Sequence, residues 1–203
     1  QDVLIVLTNV TVSTQTINNF TCFTRCQKHS ERSVFFWREK MTGRKDKTNF
    51  YLNIAETVSE QCTCLRRHYG AVIVKNDEVI STGYVGAPRG RANCCDLGFC
   101  IREKLNIPRG ERYELCRSVH AEANAIISAS RDKMIDSTIY LVGKEVKDNS
   151  YIQNANSCSM CKRMIINAGI KDVIIRIDEN QFKTINVSDW IENDESVDGT
   201  FGY

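Results

Sequence analysis

No stretch of this 203-residue chain is apolar for long enough to cross a bilayer. Its opening apolar run, Val3 to Leu7, has five residues, against about 20 for a spanning helix and about 7–15 for the core of a secretion signal. A membrane partner is therefore excluded, and the cytoplasm is the expected location. A dominant charge is missing too: 27 Lys and Arg face 25 Asp and Glu, a net of +2. So mild a balance excludes nucleic acid as an obligate partner and restricts phosphate contacts to local clusters. Internal repeats and long low-complexity tracts are absent. No methionine precedes Met41. Residues 1–47 are rich in Thr, Asn and Ser, then basic (Arg38, Lys40, Arg44, Lys45, Lys47), with little periodicity. They are expected to be an N-terminal extension, disordered or outside the native domain. Residues 194–203 are acidic and glycine-containing, the composition of a flexible tail. What is left, 48–193, has the length of one domain, and a chain with 42% hydrophobic residues can fill a core without staples.

Cysteine is plentiful, with ten residues. In a short secreted chain ten cysteines would predict disulfides. In a domain of this size, with a Cys-x-x-Cys downstream of a histidine, reduced metal-binding thiols are the better reading.

From Asn49 the pattern sharpens. Tyr51, Ile54, Ala55, Val58 and Cys62 recur at helical spacing. Ala71–Val74 and Val79–Tyr84, joined by Lys75-Asn76-Asp77-Glu78, predict a hairpin. Residues 86–117, rich in Gly, Arg and Cys, read as an irregular functional loop. A helix is predicted over 120–130, a strand over 138–142, and a helix over 158–168 stopped by Gly169. Strands over 171–177 and 184–187 follow, then a helical turn through Trp190 capped by Ser188-Asp189. This order predicts an α/β domain with a mixed sheet.

Two short segments carry the chemistry: His120-Ala121-Glu122 and Cys158-Ser159-Met160-Cys161. One nitrogen and two thiolates, three protein ligands in all, leave the fourth position of a tetrahedral zinc free for water, as in catalytic sites. Both motifs open helices, and a right-handed crossover would set those helices on one face of the sheet with their starts converging. There the helix dipole favours thiolate over thiol. Glu122, beside the ligands without being one, can move the proton of an activated water toward a ring nitrogen and a leaving amine. The alternatives for the two motifs are a closed structural zinc site, which needs a fourth ligand, and a redox Cys-x-x-Cys, which would not need His120 or Glu122.

These residues resemble the cytidine and deoxycytidylate deaminase family, and within it the bacterial ComE-like dCMP deaminases. The resemblance runs over roughly residues 48–192. It rests on Arg67–Val74, on Gly83-Tyr84-Val85-Gly86-Ala87-Pro88-Arg89-Gly90, on Cys94, on Cys116–Ala125, and on Ser157–Cys161 running into Met164–Ile170. It implies a three-layer α-β-α fold with a mixed five-stranded sheet, and zinc on His120, Cys158 and Cys161 with Glu122 catalytic. It also implies conversion of dCMP to dUMP for thymidylate synthesis. A homo-oligomer, a hexamer among the options, is expected, with dCTP (carrying Mg2+) and dTTP as effectors. Tyr84, Val85, Gly86, Pro88, Arg89 and Ala121 are then substrate-binding candidates. A second, structural zinc is a further option, on Cys64, Cys94 and Cys116 with one more ligand.

The chain departs from the family pattern twice. Val85 stands where the family has Asn in its Gly-Tyr-Asn-Gly loop, so a polar contact to the nucleoside is lost. Ser157 stands where the signature has Pro, and as a good capping residue it is expected to start the helix. Arg89, Arg91, Arg102, Arg109, Arg112 and Arg117 are candidates for a 5′-phosphate or an effector triphosphate, since guanidinium binds phosphate oxygens in pairs. Tyr84 and Tyr113 are candidates for stacking on a base. The rival readings are a deaminase acting on cytidine, tRNA adenosine or a riboflavin precursor, and, because of Val85, a degenerate zinc protein that binds nucleotide without turning it over.

Overall fold

The computed structural model describes residues 45–108, 110–153 and 155–194; the expected extension up to residue 44, Arg109 and the tail from residue 195 lie outside them. The first helix, α1, spans Lys47–Ser59. It starts just inside the segment assigned from composition to the extension, because the Asp46 carboxylate caps it by accepting from the Asn49 amide at 3.0 Å. Strands β1 (Arg67–Lys75) and β2 (Glu78–Tyr84) form the expected hairpin. Asn76 and Asp77 at its tip have φ of 52° and 65°, the left-handed pair that a tight two-residue turn requires.

Segment 86–117, expected as irregular, contains two single-turn helices, α2 (Cys94–Leu97) and α3 (Ile101–Lys104), and a 3₁₀ turn at Tyr113–Leu115. One turn is too short to show a hydrophobic period. The helix predicted over 120–130 is α4, Ala121–Ile127, and a separate turn, α5 (Arg131–Met134), begins after Ser130. Next come β3 (Thr138–Glu145), α6 (Ser159–Ala168), β4 (Asp172–Arg176), β5 (Phe182–Asn186) and α7 (Val187–Glu192). Gly169 closes α6 with φ 79°, as its position implied. The cap of α7 is Asn186, whose side chain accepts from the Ser188 amide at 3.0 Å, in place of the expected Ser188-Asp189.

The sheet order is β2-β1-β3-β4-β5, with β3 and β4 parallel and every other pair antiparallel. Period-two alternation divides its side chains. Ala71, Ile73, Ile139, Leu141, Val173 and Ile175 meet Ala121, Ala125, Ile165, Ala168 and Val187 from α4, α6 and α7. Val72, Val74, Tyr140, Val142 and Ile174 meet Tyr51, Leu52 and Ala55 of α1 on the other side. The result is the expected three-layer α-β-α sandwich around a mixed five-stranded sheet. α4 seats closely on β2, where a Cβ on Gly83 would lie 2.2 Å from the Ala121 carbonyl oxygen. No helix among the described residues is long and apolar enough to cross a membrane.

Candidate active site

His120 and Cys158 are the residues at which α4 and α6 begin. The His120 carbonyl accepts from the Asn124 amide at 3.0 Å, and the Cys158 carbonyl from the Lys162 amide at 2.9 Å. Both helices lie on one face of the sheet, so their starts converge. The loop ahead of His120 is pinned by a two-way bridge between Gly86 and Val119 (3.3 and 2.8 Å). His120 Nδ1 then lies 3.4 Å from Cys158 Sγ and 3.4 Å from Cys161 Sγ. Tetrahedral zinc, with bonds of about 2.3 Å to sulfur and about 2.0–2.1 Å to nitrogen, sets such donors about 3.5 Å apart. The residues therefore fit the metal. Among the described residues, no other group of three or more His, Cys, Asp or Glu brings its ligand atoms within 4.8 Å of one another.

Electrostatics agrees. The Cys161 thiol, and after it the His120 ring, stabilise the Cys158 thiolate and pull that sulfur well below the usual thiol range. Cys161, donating to that thiolate, is driven up. A divalent cation would take the place of the thiol protons here. Burial opposes charge on His120, but the Cys158 hydrogen bond and the charges of Glu122 and Cys158 outweigh it and raise the imidazole. Glu122, 5% exposed in the first turn of α4, has its carboxyl pushed up by burial. A buried carboxyl of raised pKa next to a three-donor metal site is suited to taking and returning a proton.

A cavity opens onto this cluster, its wall including Tyr69, Val85, Tyr113, Asn156, His120 and Glu122. Tyr113 meets the His120 ring edge-on at 5.1 Å. Burial pushes the Tyr69 hydroxyl up to about 12, so it stays a neutral donor at the cavity. Val85 presents a buried apolar side chain, while its backbone is held by Tyr69 O (3.2 Å) and Thr63 N (3.1 Å). The other substrate candidates, Tyr84, Gly86, Pro88, Arg89 and Ala121, do not line this cavity. The Tyr84 ring is 41% exposed, its carbonyl accepting from Asn124 Nδ2 at 2.7 Å.

Of the six arginines singled out from sequence, Arg102 alone lines the cavity. Arg112 pairs with Glu114 and Arg117 with the Ala92 carbonyl; Arg89 and Arg91 are exposed, and Arg109 lies outside the described residues. Arg66 and Asn156 carry no motif signal, and Arg67 and Tyr69 mark only the start of a matching motif. All four line the cavity. The alternation of β1 could have found two of them, since Arg67 and Tyr69 continue the row of Ala71 and Ile73. Ser157 does not cap α6: Cys158 holds that position, and the buried Ser157 hydroxyl lies beside the Glu122 carboxyl.

Cys64, Cys94 and Cys116 are not drawn together to ligand distance. Burial raises Cys94 and Cys116, and each also feels the charges of Cys64 and Cys100. These four thiols are therefore neighbours, with Cys64, Cys100 and Cys116 in the cavity wall.

A three-layer sandwich carrying a His–Cys–Cys zinc site at the meeting of two helix starts defines a zinc-binding class of protein. The model of the cytidine and deoxycytidylate deaminase zinc-binding region matches residues 45–177, and the chain belongs to that family of zinc-dependent deaminases. It is 32% identical over 136 residues to a deoxycytidylate deaminase of Mycobacterium phage D29, covering 64% of this chain and 94% of that one. It is 30% identical over 142 residues to a deoxycytidylate deaminase of Saccharomyces cerevisiae, covering 68% and 41%. With ComE operon protein 2 of Bacillus subtilis it shares 28% over 124 residues, 61% and 56% of the two chains. The chain spans about two-fifths of the length of the yeast relative.

Proposed function

We propose that the protein deaminates dCMP to dUMP by zinc-dependent hydrolysis, supplying dUMP for thymidylate synthesis. The observation that carries the reading is the buried Glu122 carboxyl beside the three donors of the zinc site, facing an open cavity. Zinc bound by three protein donors supplies Lewis acidity, which brings the pKa of water at the site toward neutrality. Glu122 takes one proton from the attacking water and gives it to the ring nitrogen, then carries the second, from the hydroxyl added to the ring carbon, to the amine, which leaves as ammonia as the C–N bond breaks. His120, Cys158 and Cys161 hold the metal, and Tyr113 braces the His120 ring. Tyr69 and Asn156 offer polar contacts to the nucleoside, with Tyr84, Gly86, Pro88, Arg89 and Ala121 around the mouth. That several relatives are named deoxycytidylate deaminase supports dCMP over cytidine or adenosine.

A homo-oligomer, regulation by dCTP with Mg2+ and by dTTP, and a cytoplasmic location belong to the same proposal. Ammonia release measured on dCMP, dCTP, cytidine and adenosine, with and without added effector, tests it; dCMP should be turned over fastest. No turnover of any of the four would leave a degenerate nucleotide binder. A structural zinc on Cys64, Cys94 and Cys116, with Cys100 as the nearby fourth thiol, requires those sulfurs to close in. Cys158→Ser protein that keeps one zinc per chain by elemental analysis would support it; protein with none would reject it.

A further inference from the structure

Arg102 stands in the single turn α3 and is 4% exposed. A cation taken out of water needs polar partners, and this one finds them along the loop that leads to His120. Its Nη2 donates to the carbonyls of Pro108 (2.9 Å) and Glu111, and its guanidinium carbon lies 4.4 Å from the centre of the Tyr113 ring. One side chain thus grips the loop at residues 108, 111 and 113. Arg112, between the last two, has φ 51°. That left-handed conformation is costly for a residue with a Cβ and persists only where the surroundings impose it. Tyr113 then opens the 3₁₀ turn and meets the His120 ring edge-on at 5.1 Å. On the same imidazole, Nδ1 faces the sulfurs of Cys158 and Cys161 at 3.4 Å each.

We infer that Arg102 is a positioning residue for the metal: by fixing Tyr113 it holds the His120 ring in the orientation that zinc requires. A metal-ligating imidazole needs a neighbour to set its plane, and losing such a neighbour typically costs about ten- to a hundredfold in metal affinity. Arginine suits the task because its guanidinium can stack on a ring through its face while donating to carbonyls along its edge, which an ammonium cannot do. Charge alone would act in the opposite sense. A buried cation near the site repels a divalent ion, so removing it would tighten binding. The role rests on the zinc site and not on the identity of the substrate.

The test reads the metal directly in the full-length protein, through zinc affinity in competition with a chromophoric chelator and through the visible spectrum of the Co2+-loaded form. Arg102→Met should weaken zinc binding by about ten- to a hundredfold and shift the Co2+ bands. Arg102→Lys, which keeps the charge, should fall with it. Tyr113→Leu should reproduce both effects, and Tyr113→Phe, which keeps the ring, should bind far more like the wild type. Because the two residues act in series, adding Arg102→Met to Tyr113→Leu should cost little more. Zinc binding that is unchanged or tighter in folded Arg102→Lys or Tyr113→Leu, with unaltered Co2+ bands, overturns the inference. So do losses that add in the double variant, since Arg102 would then reach the metal by another route. If Arg102→Met fails to fold, Arg102→Lys and Tyr113→Leu decide the matter by the same readouts. None of these measurements needs turnover: inactivity toward dCMP would sink the substrate reading alone, whereas a wild-type chain that binds no metal would sink both.

Discussion

At the scale of single residues, two positions carry the sharpest expectations. Glu122 is next to the zinc site and is not one of its three donors. Glu122→Gln should therefore keep its zinc, by elemental analysis, while kcat falls by about two to four decades, the usual contribution of a general acid–base group. Val85 is the other. Its side chain is buried in the cavity wall where the family pattern has an amide, and a polar group left without its partner costs about 1–3 kcal/mol. Val85→Asn is expected to raise kcat/KM for dCMP, and steady-state kinetics that show no gain would mean the loop does not grip substrate through this side chain. These two residues were readable from local sequence because motif spacing names them directly. Arg66 and Asn156 were not. Nothing about an arginine ahead of a strand, or an asparagine ahead of a Cys-x-x-Cys, says that both face one cavity.

At the scale of elements, the site depends on where α4 and α6 start. α4 is seated on β2 with so little space that a Cβ on Gly83 would fall 2.2 Å from Ala121 O and 2.3 Å from Ala125 N. Because those atoms belong to helix backbone, the whole helix must move. Gly83→Ala should destabilise the protein by about 1–3 kcal/mol, the range for overpacked cores, readable as a lower urea midpoint. It should also reduce zinc occupancy, since His120 travels with α4. The longer helices and the hairpin follow from periodicity and turn chemistry. The boundaries that differ do so for local reasons: Asp46 and Asn186 supply caps that no period reveals, and α2, α3 and α5 are single turns set by contacts with the rest of the domain.

At the scale of the molecule, the two outer layers are tied to the sheet unequally. The face holding the zinc site is packed mainly by apolar side chains. On the other face, α1 is also fastened by a polar network in which Glu56 accepts from Lys144 and from the Tyr151 hydroxyl (2.8 Å), with Arg176 at 4.0 Å. Burial works against charge on Glu56, but those hydrogen bonds and cations outweigh it and hold its pKa below the ordinary 4.5. A carboxyl with a lowered folded pKa stabilises the fold at pH values above its ordinary pKa, and that contribution is lost as pH falls through the lowered value. Wild-type stability should therefore drop on acidification below about pH 4.5, and Glu56→Gln should start less stable at neutral pH and show a shallower acid limb in denaturation followed by circular dichroism. An identical limb in both proteins would place the acid sensitivity elsewhere.

Sequence alone determined the donor set, the carboxyl beside it and the order of the main elements, because ligand chemistry and hydrophobic period are properties of neighbouring residues. Only the tertiary structure decided that two motifs nearly forty residues apart close to 3.4 Å, and which arginines face the cavity. Those facts depend on how a parallel β3–β4 pair and an antiparallel hairpin set two helix starts side by side, and packing between distant segments leaves no local mark on the chain.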